Sequence, residues 1–212
     1  MLDFTDRLRD TCNAEFALWD NGAGRETWGQ PQHSKDYYLF VKKYWVSIGN
    51  NNLDGRTTNA QGIRPAWSSA FVSFCVREAE AGNSFKYSEA HCHYTARAMN
   101  ATQGNDPTSA YLARHSDDRK PQVGDIVVSG REYAASYDFE TAAMIYEADS
   151  FYPSHGDIVV KVDNSYAHTI GGNITHNVDQ KRLRLTDQGY LRNRINSSGN
   201  ELPWIAVLEC VR

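Results

Sequence analysis

Arg64-Pro65-Ala66-Trp67-Ser68-Ser69-Ala70-Phe71-Val72-Ser73-Phe74-Cys75-Val76 is where the chain first commits to a buried element. Val72, Cys75, Val76 and Ala79 fall at i, i+3, i+4 and i+7, with Phe71 beside them, which predicts a helix with one apolar face. A proline and a tryptophan lead in. Ser68 or Ser69 then stands at the helix N-terminus, where unpaired N–H groups and the dipole favour negative charge. Two readings of Ser68 follow. Serine at a helix start is ordinarily an N-cap. As a nucleophile it would find, in the same N–H groups, donors for the oxyanion it generates.

Upstream, residues 1–20 place Leu2, Phe4, Leu8, Phe16, Leu18 and Trp19 in a helical pattern closed by a Gly-rich turn at residues 21–24. A second helix is expected from Ser34, as its cap, through Tyr37, Phe40, Val41, Tyr44, Trp45 and Ile48 to Gly49. Residues 50–61 are polar and read as a surface loop, and the central helix is expected to end near Gly82. Downstream, Ser88 and Glu89 open a further helix over residues 90–99, followed by a polar, irregular region with a short helix at Ser109–His115.

From residue 121 the period changes to that of strands. Pro121–Val128, Ser154–Val162, Ala167–Ile174, Arg182–Leu185 and Trp204–Val211 predict an antiparallel sheet of about five strands. Residues 132–153 form a connection that could overhang a site. Helices first and a strand meander after them define an α+β class.

The 212 residues, 41% of them hydrophobic, suffice for one domain with a core of its own. With 22 basic and 26 acidic residues interspersed, the net charge of −4 points to neither nucleic acid nor an anionic membrane. No apolar run has the length of a membrane span. The charged opening Met1-Leu2-Asp3-Phe4-Thr5-Asp6-Arg7 is not a Sec signal peptide, so the expectation is cytoplasmic synthesis, with a specialised route for any export. None of the 4 cysteines pairs at C-x-x-C spacing, and Cys75 and Cys210 read as small core hydrophobes.

Seven histidines are present. Neighbours on a helix point to different sides, so His91-Cys92-His93 is not expected to hold zinc, and no metal or cofactor is expected. Cys92, inside a helix, ranks below Ser68 as a nucleophile. His155 opens a strand at the sheet rim. Alternation puts His155 and Asp157 on one face and Ile158 and Val160 on the other. A histidine acting as a base needs an orienting partner for its second nitrogen. Asp157 and Asn173 are the two candidates, Asn173 in Gly171-Gly172-Asn173 on the next strand, where it also reads as a turn residue. His155 itself also reads as a rim histidine without function.

The order of these motifs resembles the papain-like cell-wall hydrolases of the NlpC and CHAP type. It is similar, more closely, to a bacterial family of uncharacterised function placed in that superfamily. The matching features are Tyr44-Trp45, Pro65 to Ser73, Tyr87 to His91, Gly124 to Val127, Ser154 to Val160, Ile170 to Asn173, Lys181-Arg182-Leu183 and Pro203 to Leu208. They span residues 35–212, with residues 1–34 as an N-terminal helical extension. NlpC-type enzymes carry cysteine where this chain has Ser68. A thiol is partly ionised near neutral pH, whereas a hydroxyl must lose its proton to a base during attack. The resemblance therefore implies one of two things. The first is a serine hydrolase with Ser68 as nucleophile, His155 as base and Asn173 or Asp157 as orienter, with Trp67, Ser69 and His91 lining the substrate groove; His91 reads equally well as packed against Tyr87 and Tyr94. Its substrate would be the peptidoglycan stem peptide, cut by amidase or endopeptidase action. Such an enzyme fits an antibacterial effector delivered by type VI secretion, with a cognate immunity protein and a delivery protein as partners and the periplasm or cell wall of a target cell as its place of action, or a phage-like lysis protein. The second is a non-catalytic module binding cell-wall peptide or a protein partner.

Overall fold

The computed structural model describes residues 2–146 and 150–212. Helix α1 (Phe4–Leu18) begins at Asp3, whose carboxylate accepts the Asp6 N–H and so satisfies one of the unpaired donors of the first turn. Helix α2 (Tyr37–Ser47) starts after the expected Ser34 cap. Asp36 holds the cap position, and its carboxylate instead accepts the Gln30 N–H at 2.8 Å, pinning the incoming loop.

Helix α3 (Ser68–Glu78) is the central helix, and every residue from Ser68 to Val76 is buried. An apolar stripe alone would bury one face. Here α1 and α2 cover one side and the sheet the other, so even Ser69 and Ser73 are enclosed and hydrogen-bond the Ser88 carbonyl. Phe71, Val72 and Val76 are fully buried, each contributing about 1.5–3 kcal/mol of transfer free energy. The helix ends before the expected Gly82, which opens a short 3-10 turn over Gly82–Ser84.

Helix α4 (His91–Thr102) begins later than Ser88 and Glu89 suggest. The Ser88 hydroxyl still accepts a backbone N–H, that of Ala90 at 3.1 Å, but as a turn ahead of the helix. The expected helix at Ser109–His115 is instead strand β1 (Tyr111–Arg114), paired with the C-terminal strand. Leu112, Ala113 and Arg114 favour helix intrinsically, and the ladder with the neighbouring strand overrides a preference worth only a few tenths of a kcal/mol per residue, as an order of magnitude.

The remaining strands are β2 (Ile126–Gly130), β3 (Ser154–Val162), β4 (Tyr166–Gly172), β5 (Val178–Arg184), the short pair β6 (Arg194–Ile195) and β7 (Glu201–Leu202), and β8 (Ala206–Cys210). β5 is longer than the expected Arg182–Leu185. The main sheet has six antiparallel strands in the order β1-β8-β2-β3-β4-β5, one more than the expected five because of β1. Within the 132–153 connection lies α5 (Phe139–Ile145); residues 147–149, part of the stretch expected to overhang a site, lie outside the described residues.

Strand alternation divides the interior. Ile126, Val128, Ile158, Val160 and Ile170 face the helices in the main core. Val127, Val159, Ala167 and Val207 face the other way, into a smaller cluster closed by Leu185, Leu191 and Trp204. The α+β class is thus realised as helices packed on one face of an antiparallel sheet. No helix among the described residues is long and apolar enough to cross a membrane.

Candidate active site

Ser68 is the first residue of α3, so its Oγ sits beside the unpaired N–H groups of the first turn. The residue it meets is His91, the first residue of α4. Ser68 Oγ and His91 Nε2 hydrogen-bond at 2.6 Å. The other ring nitrogen, Nδ1, hydrogen-bonds the Tyr94 hydroxyl one turn along the same helix. Two helix starts therefore face each other, and their side chains form a chain from Ser68 through His91 to Tyr94. All three are buried.

His155 and Asp157 form a second constellation. His155 Nε2 and Asp157 Oδ1 lie 2.8 Å apart, and Lys181 of β5 donates to Asp157 Oδ2 at 2.9 Å. His155 Nδ1 is buried and has no hydrogen-bond partner among the described residues. Of the two orienting candidates, Asp157 is the one joined to His155. Asn173 follows β4 in the left-handed region (φ 54°), and no side-chain hydrogen bond links it to His155 among the described residues.

Three glycines let the two constellations form. A Cβ on Gly156 would stand 2.4 Å from the Tyr94 hydroxyl and 2.9 Å from His91 Nδ1. A Cβ on Gly171 would stand 1.8 Å from Asp157 Oδ1, and one on Gly172 would meet Phe71 at 2.5 Å. Neighbouring strand residues face opposite ways. Gly156 faces His91 and the helices, so His155 and Asp157 leave β3 from the other face. The two imidazoles still approach at the sheet rim, 5.5 Å between ring centroids.

The sequence had paired Ser68 with His155; the structure joins it to His91 instead. Trp67 and Ser69, expected in a groove, are enclosed: the Trp67 indole N–H donates to Glu26 Oε2 at 2.6 Å, and the Ser69 hydroxyl donates to the Ser88 carbonyl at 2.8 Å. Tyr94 entered the sequence reading as a packing neighbour of His91, which it is, with its hydroxyl on Nδ1 besides; Lys181 had no role there. Lys181 lay in a recognised motif, but only the register of β5 beside β4 brings it to Asp157.

The electrostatics are those of buried groups held by neighbours. Burial, then the positive charge of His155, holds the His91 imidazole well below its usual range, with Asp157 pulling the other way. Burial likewise lowers His155, against the attraction of Asp157. For Asp157, burial alone would favour the neutral acid, but His155 and Lys181 outweigh it and hold the carboxyl far below the carboxylate range. Burial raises the Tyr94 phenol, so it stays neutral. Among the described residues no group of three or more His, Cys, Asp or Glu side chains is placed to hold a metal ion.

Fold and site together define an α+β protein whose antiparallel sheet supports a helix-start serine hydrogen-bonded to a histidine. The chain belongs to the bacterial family described as "Uncharacterized protein conserved in bacteria (DUF2272)", whose profile matches residues 28–210. No curated protein and no solved structure gives a significant match.

Proposed function

We propose that this protein is a serine hydrolase of amide bonds, built on a papain-like frame and acting on the peptide part of peptidoglycan as an amidase or endopeptidase. The 2.6 Å hydrogen bond between Ser68 Oγ and His91 Nε2 at the start of α3 carries the proposal. A neutral imidazole is the form able to take a proton, and burial keeps His91 neutral. With its own proton on Nδ1, directed to Tyr94, Nε2 accepts the Ser68 proton as Oγ attacks the amide carbonyl. The tetrahedral oxyanion is met by N–H groups of the first turn of α3. The imidazolium then returns its proton to the leaving amine, and water resolves the ester by the reverse sequence. The Asp157 carboxylate favours the imidazolium through space. His155, the histidine expected at the papain-like position, pairs with Asp157 and backs the dyad from the other sheet face. The peptidoglycan substrate and delivery by type VI secretion, with an immunity protein to protect the producer, rest on the resemblance of the motifs.

The depth of the site favours a second reading, a papain-like module that binds cell-wall peptide or a protein partner without cutting it: Ser68 is 5% exposed and His91 3%. Mass spectrometry of purified peptidoglycan treated with wild type, Ser68→Ala, His91→Ala and His155→Ala proteins separates the two. The hydrolase reading expects new stem-peptide fragments from wild type, none from Ser68→Ala, and a loss of 10²-fold or more for His91→Ala. Loss on His155→Ala with His91→Ala active would return the base role to His155. Fragments from Ser68→Ala would remove Ser68 as nucleophile, and no fragments from any protein would favour the binding module.

A further inference from the structure

One buried carboxylate outside these constellations leads directly to Ser68. Glu26 lies ahead of the residues that the family profile and the resemblance cover, and it is 2% exposed. Its Oε2 accepts the Trp67 indole N–H at 2.6 Å, and its Oε1 lies 2.9 Å from His176 Nδ1. Its own backbone N–H donates to the His176 carbonyl at 2.8 Å. Arg64 approaches loosely, at 3.8 Å. Glu26 thus spans the N-terminal segment, the loop between β4 and β5, and the residue immediately before Ser68.

Among the described residues the Trp67 ring is otherwise held by packing. It stacks on Trp19 at 5.4 Å and on Tyr44 at 5.6 Å, two rings that hydrogen-bond each other, and Gly172 leaves room for its edge, where a Cβ would stand 2.7 Å from Cζ3. Stacking fixes the plane of a ring far better than its rotation within that plane. The bond to Glu26 supplies the missing direction, since it is short, at 2.6 Å, and fixed to one atom of the ring edge. The Trp67 carbonyl accepts the Phe71 N–H at 3.0 Å, the bond that opens α3. Packing alone needs no buried carboxylate, which is costly to take out of water.

We propose that Glu26 is a positioning residue for Ser68. Acting through Trp67, it fixes the junction from which α3 starts, so that the Ser68 hydroxyl is held on His91. The N-terminal segment is then part of the active-site frame. The assignment to reactivity rests on Ser68 being the nucleophile proposed above.

The test uses the full chain and the variants E26Q, W67F and E26Q/W67F. Reaction with a fluorophosphonate, which forms a Ser68 Oγ–P bond and releases fluoride, is followed by intact mass. Ser68 amide and His91 ring-nitrogen resonances are read by NMR, and Tm is recorded beside them. The expected result is labelling slowed at least tenfold in E26Q and in W67F, with the double variant no slower than W67F alone, because the two act through one bond. The Ser68 and His91 resonances move in both single variants while the spectrum elsewhere and its dispersion are retained. Wild-type labelling rates and unmoved Ser68 and His91 resonances in folded E26Q overturn the proposal, as do additive losses in the double variant. Failure of the wild type to label would instead overturn the reading of Ser68 as nucleophile, and the resonances would still decide whether Glu26 positions it. If E26Q does not fold, W67F, which keeps a ring in the stack and deletes only the indole N–H side, carries the same comparison.

Discussion

Single residues set how closely the two constellations pack, and glycines set the tolerance. Gly171 lies under the Asp157 carboxylate, where a Cβ would stand 1.8 Å from Oδ1. Gly171→Ala must therefore displace a buried ion that Lys181 and His155 hold, and the expected cost is roughly 3 kcal/mol or more. Gly49→Ala is the matched comparison. Gly49 is also conformationally special (φ 89°) but has nothing within 4 Å of a Cβ, so only the left-handed backbone penalty of about 1 kcal/mol applies. Urea midpoints of the two variants, at equal slope, check the ordering. A smaller loss for Gly171→Ala than for Gly49→Ala would contradict the clash. At this scale the sequence was informative about identities and weak about pairing. Ser68 at a helix start and Asp157 on the face of His155 follow from periodicity. The meeting of Ser68 with His91 does not, because it depends on how two helix starts converge, and no spacing along the chain encodes that angle.

At the scale of elements, Asp125 shows why the Gly124-Asp125-Ile126-Val127 motif matters to the fold. Its carboxylate accepts from the Arg119 guanidinium at 3.0 and 3.1 Å, from the Gln122 N–H at 2.9 Å and from the Cys210 N–H at 2.9 Å. Burial raises its pKa, which those donors partly offset. One side chain thus closes the turn into β2 and fastens the end of β8 beside it. Asp125→Ala leaves Arg119 with Glu209 as its partner at 3.0 Å but strips the Gln122 and Cys210 N–H groups of their acceptor, with an expected loss of about 2–4 kcal/mol. Arg9→Ala, which removes exposed ion pairs to Asp6 and Asp10 on α1, is expected to leave stability nearly unchanged. Thermal unfolding of both variants checks the contrast. The long elements were legible because each carries a period: α1, α2, α3, α4, β3 and β4 all appear where their apolar spacing puts them, within a few residues. β1 was not legible. Four residues cannot display a period, and Tyr111-Leu112-Ala113-Arg114 becomes a strand only because Val207 to Cys210 lie alongside. Helix starts slipped although Ser34 and Ser88 are good caps by type: Asp36 holds the cap position of α2, and the Ser88 hydroxyl accepts the Ala90 N–H in the turn ahead of α4.

For the molecule as a whole, the buried imidazoles make acid the weak side of the fold. His91 is neutral in the folded state, held well below its usual 6.5 by burial first and then by the charge of His155, with Arg131 and Lys181 acting in the same sense and Asp157 opposing. The unfolded chain gains a proton on this residue as pH falls through about 6.5, and the folded chain does not. A group with a depressed cationic pKa contributes its stability fully above the unfolded value, and that contribution is lost as pH falls below it. Asp157 is shifted in the same direction but lower on the pH scale: its folded carboxyl titrates far below the unfolded value near 3.8, so its contribution persists until pH falls through that region and starts to decline only there. Between about pH 6.5 and 4.5 the histidine effect therefore acts alone of the two. The expected unfolding free energy declines there by up to about 1.4 kcal/mol per pH unit for His91. His91→Gln removes that proton from the unfolded state, so its stability curve should be flatter over the same interval by close to one proton, whatever its absolute stability. Urea unfolding at half-unit pH steps on wild type and His91→Gln measures this directly. Parallel curves would mean that folded His91 takes up its proton over the same pH range as the unfolded chain, and would remove the effect of burial that keeps its lone pair free to accept the Ser68 proton.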